Sequence, residues 1–261
     1  MPWIEANGAE LYYVMEGPET DKPLILIHEL GGSVGSWDRA MPLLQNRRTV
    51  RWDWRGAGQS EKIRSELNVE VLFADLKSLL DGLGIFGAVD MAGTALGGGV
   101  ALAFAARHPA RVRRLVVSSP AIGGDSGIED MLRRRADEVE KTGMRTQVDI
   151  SLNRSYLPKY RTDKTAFQTY RSRWLANDPG SYASHNRMLA AMDERENLNK
   201  ITSPTLVIGG EDDSLLPPID MQEIASRIPT SQFMELPTGH FAAVNTPIIW
   251  ANETLRFFDS E

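Results

Sequence analysis

A glycine-rich turn between an apolar strand and an alanine-rich helix is the feature that most constrains how this chain folds. Residues 93–99 read Gly-Thr-Ala-Leu-Gly-Gly-Gly, after a short apolar run at 87–92 and before an amphipathic run that ends near Arg107. Glycines around the centre indicate a sharp turn, where an unfavourable backbone angle leaves no room for a neighbouring Cβ. The stretch fits neither the dinucleotide-binding pattern nor the Walker phosphate loop. It predicts a tight strand-to-helix connection.

Strand-like and helix-like segments alternate along most of the chain. Strands are predicted near residues 3–6, 11–16, 24–28, 49–53, 88–92, 115–118, 205–209 and 232–236, and helices near 35–45, 68–83, 96–107, 217–227 and 247–258. After a first antiparallel hairpin, this alternation predicts an α/β fold with a mostly parallel eight-stranded sheet and helices on both faces. The alternation stops between residues 121 and 199, where polar helical runs replace strands. We expect a core of residues 1–120 and 200–261, with a helical cap of residues 121–199 inserted after the sixth strand.

Composition excludes several classes of function. A net charge of −6 over 261 residues argues against a nucleic-acid partner, which requires a concentrated basic face. No apolar run approaches the roughly 20 residues of a membrane span, and the N-terminus lacks a signal-peptide pattern. The absence of cysteine excludes disulfides and thiolate metal sites. We therefore expect a cytoplasmic protein that binds a small molecule, without a membrane partner, a metal or a cofactor; a homodimer is left open.

Two later turns carry a histidine and an acid that can act together. His240 lies in Thr-Gly-His-Phe, after the strand predicted at 232–236, and Asp212 and Asp213 follow the strand predicted at 205–209. A catalytic imidazole needs an acid on a converging loop, because the acid fixes its tautomer and stabilises its charged form. We expect these two turns to meet at the edge of the sheet that carries the glycine-rich turn.

These motifs resemble those of the α/β-hydrolase superfamily. The turn at 93–97 resembles the Gly-x-Ser-x-Gly nucleophile elbow, with Ala95 where the family has serine. The turn at 210–217 resembles the acid turn Gly-x-x-Asp-x-x-x-Pro, which selects Asp213 as the acid. In chain order the three positions then follow the family's sequence of nucleophile, acid and base, ending at His240.

Two more segments strengthen the resemblance. Residues 28–32, His-Glu-Leu-Gly-Gly, are similar to the oxyanion loop His-Gly-x-Gly-Gly, and residues 53–60 are similar to the turn Asp-x-Arg-Gly-x-Gly-x-Ser after the fourth strand. The resemblance implies backbone N–H donors for an oxyanion at Leu30 and Leu96. Within the superfamily the chain is most similar to 3-oxoadipate enol-lactonases and related small hydrolases of aromatic-ring breakdown. This resemblance implies a cofactor-free serine-type hydrolase of a small ester, lactone or amide.

Two residues depart from the family pattern. Ala95 has no nucleophilic atom, and three explanations stay open: a serine has been replaced, the chain is a natural ligand-binding or sensing protein, or a His–Asp pair works without a nucleophile, as a water-activating hydrolase or a cofactor-free oxygenase. Glu29 stands where most relatives have glycine, and we expect its side chain to point away from the substrate.

The cap is expected to recognise the substrate, which its many arginines predict to be anionic. Arginine binds carboxylates through two parallel hydrogen bonds. Arg154, Trp174 and Arg187 of the cap, with Phe241 beside the histidine, are the predicted substrate-binding residues, whereas the run Arg133 to Arg135 is expected to be mostly a solvated helix face.

The other three histidines are expected to be structural. His28 would shape the oxyanion loop, and His108 would lie as a cation at the C-terminus of a helix. His185 is expected on a solvated or cap-lining surface.

Overall fold

The structure, a computed structural model, describes residues 2–20, 22–124 and 126–260. Eight strands form one sheet in the order β1-β2-β4-β3-β5-β6-β7-β8. Their bounds are β1 (Trp3–Ala6), β2 (Ala9–Glu16), β3 (Leu24–Ile27), β4 (Thr49–Trp52), β5 (Val89–Thr94), β6 (Val112–Ser118), β7 (Thr205–Gly210) and β8 (Ser231–Leu236). The strand β2 pairs antiparallel with β1 and β4, and all other neighbours are parallel. The mostly parallel eight-stranded sheet is therefore confirmed.

Helices lie on both faces of the sheet. In chain order, the helices of the described residues are α1 (Val69–Gly82), α2 (Leu96–Arg107), α3 (Ser126–Thr142), α4 (Val148–Ser155), α5 (Lys164–Leu175), α6 (Pro179–Ala191), α7 (Pro218–Ser226), α8 (Ala242–Asn245) and α9 (Pro247–Asp259). One face of the sheet packs against α1, α2 and α7, and the other packs against α9. Because both faces are covered, the inner strands are continuous apolar runs, as in Leu24–Ile27. No helix within the described residues is long and apolar enough to cross a membrane.

The helix predicted over residues 35–45 is wrong. The structure has two short 3-10 helices there, Val34–Trp37 and Met41–Leu43. Ser33 caps the first of them by accepting a hydrogen bond from the N–H of Gly35 at 3.2 Å. Pro42 lies at the start of the second, where its missing N–H is harmless, but in a continuous helix it would interrupt the hydrogen-bond ladder.

The four helices α3 to α6 separate β6 from β7, and we call them the cap. Their buried side chains form a cluster with Ala95, Phe241 and Val244, which lie in the segments that follow the carboxyl ends of β5 and β8. The cap therefore covers the edge of the sheet at which the predicted turns meet. The domain boundaries at 121 and 199 stay a prediction.

Candidate active site

Ala95 occupies a strained turn between β5 and α2. Its backbone has φ 51° and ψ −118°, a conformation that costs a residue with a side chain of the order of 1–3 kcal/mol. The surroundings hold it there: its N–H donates to the carbonyl of Ser118 at 2.9 Å, and its own carbonyl accepts from Gly99 and Ala121, each at 3.0 Å. The turn directs the side chain of Ala95 outward from the sheet edge, into a cavity beneath the cap.

Two glycines make this turn possible. A Cβ on Gly93 would lie 2.4 Å from the carbonyl oxygen of Gly97, and a Cβ on Gly97 would lie 2.2 Å from the carbonyl oxygen of Ile27. Both obstacles are backbone atoms, which cannot move aside as a flexible side chain can. The glycine pattern of the sequence therefore reports close packing of β5, α2 and β3.

His240 and Asp213 form a buried pair, as the sequence predicts. The Nδ1–H of His240 donates to Asp213 Oδ2 at 2.7 Å. Asp213 Oδ1 accepts from the backbone N–H groups of Leu215 at 2.9 Å and Leu216 at 3.0 Å. Burial raises the pKa of Asp213, but the charge and hydrogen bond of His240 and the further donors outweigh it and leave the pKa below its ordinary value. The carboxylate is thus ionised at neutral pH and leaves Nε2 of His240 as the atom that can accept a proton.

Asp212 has a different role from its neighbour. Its carboxylate binds the hydroxyl of Tyr160 and the ammonium group of Lys159, both from the loop between α4 and α5. Asp212 is therefore engaged in attaching the cap, which agrees with the choice of Asp213 as the partner of His240.

The loop at residues 28–32, which we call the oxyanion loop, has a fixed shape. The Nδ1–H of His28 donates to the carbonyl of Glu29 at 2.8 Å, and the N–H of Gly32 donates to the same carbonyl at 2.9 Å. Leu30 of this loop and Leu96 both line the cavity beside Ala95. Leu96 begins α2, so its N–H has no acceptor within the helix and lies at the positive end of the helix dipole.

The cavity has a volume of about 540 Å³ and joins the elbow to the cap. His240 and Phe241 line it from the sheet side, and Trp174 and Tyr182 line it from the cap. Aliphatic side chains add to the wall: Ile128, Leu132, Ile150, Leu189, Leu215 and Leu216. A mostly apolar cavity with a few polar groups suits a small organic ligand.

The cap arginines divide into those that reach the cavity and those that do not. Arg154 lines it, as predicted, and so do Arg134 and Arg135, which the sequence assigned to a solvated face. The prediction for Arg187 is wrong: its guanidinium binds Asp137 at 2.7 Å and Glu140 at 2.6 Å, away from the cavity. Helical periodicity could not distinguish these arginines, because it does not fix the rotation of α3 against α6.

The predictions for His185 and His108 also need revision. His185 is buried, not solvated: its ring lies against Trp54, and its Nε2–H donates to the carbonyl of Arg55 at 2.8 Å. Burial and the nearby cations Lys77, Arg111 and Arg107 lower the pKa of His108, so this ring is neutral at pH 7 and not cationic.

Glu29 is absent from the cavity wall, in line with the expectation that it points away. Over the described ranges, no cluster of three or more histidines and acids could hold a metal ion.

Comparison with known proteins identifies close relatives in sequence and structure. A family model for the alpha/beta hydrolase fold matches residues 22–247. A putative carbamate hydrolase, RutD, of Azorhizobium caulinodans is 29% identical, covering 100% of this chain and 99% of its own length. The 3-oxoadipate enol-lactonase 1 of Acinetobacter baylyi is 31% identical over 92% of this chain and 90% of its own length. The crystal structure of the enol-lactonase from Burkholderia xenovorans LB400 superposes with a TM-score of 0.92 at 26% identity, covering 99% of this chain and 100% of that one.

Proposed function

Because the chain belongs to the α/β-hydrolase fold family, we propose that it is a serine-type hydrolase of a small, carboxylate-bearing ester, lactone or amide, here in a form that lacks its nucleophile. One observation carries the proposal: the hydrogen-bonded pair of His240 and Asp213 is intact on the same cavity as Ala95, which keeps the strained backbone of an elbow. A protein released from catalysis has no chemical need for this pair or for this strain.

The reaction follows from the geometry once residue 95 carries a hydroxyl. His240 Nε2 would take the proton of that hydroxyl as its oxygen attacks the substrate carbonyl, while Asp213 holds the ring and stabilises its positive charge. The N–H groups of Leu30 and Leu96 would bind the oxyanion that develops. His240 would then return the proton to the leaving group. The methyl group of Ala95 has no lone pair, so this chain binds the substrate without forming an acyl-enzyme.

The cavity wall supports an anionic substrate. Arg135 and Arg154 both contact the sulfur of Met131, at 3.7 Å and 4.0 Å, so two positive charges converge on one neutral atom. Neither has a carboxylate within ion-pair distance among residues 2–20, 22–124 and 126–260, whereas Arg171 and Arg173 of the same cap are each paired with an aspartate. A substrate carboxylate would neutralise the two free guanidinium groups. Glu138 lies on the same wall, and it limits the net positive charge there.

The first experiment is to restore the hydroxyl with Ala95→Ser and assay a panel of small esters, lactones and amides. We expect hydrolysis that the starting protein lacks. The alternatives predict other outcomes. A His–Asp enzyme without a nucleophile would already turn over its substrate, and His240→Ala would abolish that activity. A sensing protein would bind a ligand tightly and gain no activity from Ala95→Ser.

We also propose a cytoplasmic location, to which the cysteine-free sequence is suited.

A further inference from the structure

Glu29 carries a buried carboxylate in the oxyanion loop, at the position where the motif it resembles has glycine. Only 1% of its surface is exposed. A charge in such a place is costly unless hydrogen bonds satisfy it. Glu29 Oε1 accepts from the hydroxyl of Ser36 at 2.7 Å and from the hydroxyl of Tyr170 at 2.6 Å. The first partner belongs to the core and the second to the cap, so this carboxylate joins the two.

Tyr170 links two loops of the candidate site. Its hydroxyl binds Glu29 of the oxyanion loop, and its ring packs against Phe241, which follows His240, with the ring centroids 6.1 Å apart. Burial, reinforced by the neighbouring carboxylate of Glu29, raises the pKa of Tyr170 well above its ordinary value of 10.0. The hydroxyl therefore keeps its proton and stays a donor at neutral pH.

Two further contacts fix the end of α5 and the residues after it to the same loop. The Nδ2 amide of Asn177 donates to the carbonyl of Gly31 at 2.9 Å. The indole of Trp174 fills the space in which a Cβ of Gly31 would stand, since that Cβ would lie 2.6 Å from Nε1. The cap thus contacts the oxyanion loop at two points: at the side chain of Glu29 and at the backbone of Gly31.

We propose that Tyr170 and Glu29 are positioning residues: their hydrogen bond couples the seating of the cap to the position of the Leu30 N–H in the oxyanion hole. This inference rests on the proposed function, because it assigns the Leu30 N–H to the oxyanion that develops during acyl hydrolysis. An oxyanion donor must lie about 2.7–3.1 Å from the developing charge. A displacement of about 1 Å can cost about a hundredfold in rate. Neither residue needs to touch the substrate.

The kinetic test uses the Ala95→Ser protein as its background. Tyr170→Phe keeps the ring and removes the hydroxyl, and we expect kcat to fall about tenfold or more while KM changes less than about threefold. Glu29→Ala should behave in the same way. Glu29→Gln keeps an oxygen that accepts from both hydroxyls and should retain most of kcat. Tyr156→Phe is the matched control, because Tyr156 is a buried cap tyrosine whose hydroxyl accepts a hydrogen bond from Arg39 at 3.4 Å and donates none to Glu29 of the oxyanion loop. An unchanged kcat in Tyr170→Phe, or an equal loss in Tyr156→Phe, would overturn the inference.

A second measurement needs no catalysis and uses the protein as it is, with Ala95. Tyr170→Phe should speed amide hydrogen exchange of residues 29–32 by about tenfold over the parent chain, and Tyr156→Phe should leave it unchanged. If Ala95→Ser proves inactive with every substrate, the proposed function fails and the exchange data alone decide on the coupling. Equal protection of residues 29–32 in both tyrosine variants would contradict it.

Discussion

In the proposed function, a single residue, Ala95, deprives the site of its nucleophile. Alanine at φ 51° keeps the strain of the elbow, which glycine at this position would relieve. The retained strain is what a serine-to-alanine exchange would leave behind, since the two residues differ by one oxygen atom. Under the proposed function, we expect the surrounding backbone, the histidine and its acid to accept a hydroxyl at residue 95 without rearrangement.

His185 provides a prediction about pH and stability at the same scale. Its complete burial lowers its pKa from 6.5 to about 4; the hydrogen bond to the backbone carbonyl of Arg55 opposes this shift, and the neighbouring His28 and Lys62 add to it. Between these values the unfolded chain binds a proton that the folded chain excludes, so stability is lost as the pH falls from 6.5 to about 4. The difference corresponds to about 3 kcal/mol. Urea unfolding measured between pH 6.5 and 4 should show that the free energy of unfolding falls less steeply in His185→Gln than in the parent protein. Parallel curves for both proteins would refute the assignment.

At the scale of elements, the elbow depends on the close approach of α2 to β3. Gly97→Ala would push a Cβ into the carbonyl oxygens of Ile27 at 2.2 Å and His28 at 2.3 Å. We expect a loss of about 2–3 kcal/mol in the free energy of unfolding, as for overpacked core positions. Gly87→Ala is the control, because nothing lies within 4 Å of its added Cβ, and it should change stability by less than about 0.5 kcal/mol. A Gly97→Ala protein as stable as Gly87→Ala would show that the elbow is not tightly packed.

Elements that local sequence determines were predictable, and those fixed by packing were not. The strands and the turns at Ala95, Asp213 and His240 each follow from a run of apolar residues and a few neighbours. The rotation of the cap helices against one another and against the core decides three features: the orientation of Arg187, the burial of His185, and the exposure of Arg134 and Arg135 to the cavity. The many polar residues of α3 do not indicate that rotation. The partners of Glu29 are also unpredictable, because Tyr170 is 141 positions away in sequence.

At the scale of the whole molecule, the proposed anionic ligand would lie in the cavity between the cap and the core. Arg135→Ala and Arg154→Ala should each raise the Kd of a carboxylate-bearing ester by about ten- to a hundredfold, from the loss of one charge-assisted hydrogen bond worth roughly 1.5–3 kcal/mol. Calorimetry on the Ala95 protein can measure this binding without turnover, using a monoester of a short dicarboxylic acid and the matching neutral diester.

Two control variants sharpen that measurement. Arg133→Ala removes an exposed guanidinium from the same helix as Arg135, and Arg187→Ala removes one that is bound to acids away from the cavity. Neither should change the Kd. Equal affinity of the parent protein for the monoester and the diester would refute anion recognition. An equal rise in Kd in all four variants would show that the ligand responds only to the overall charge and not to Arg135 and Arg154.

The rate of ester or lactone hydrolysis by Ala95→Ser tests whether this chain lacks only a nucleophilic oxygen. Loss of a triad nucleophile costs on the order of a millionfold in turnover in comparable enzymes, so the variant should gain several orders of magnitude over the parent. The gain should vanish in Ala95→Ser combined with His240→Ala, because a serine without its base is a poor nucleophile at neutral pH. A variant that hydrolyses no ester, lactone or amide, or one whose activity survives the loss of His240, would contradict the proposed function.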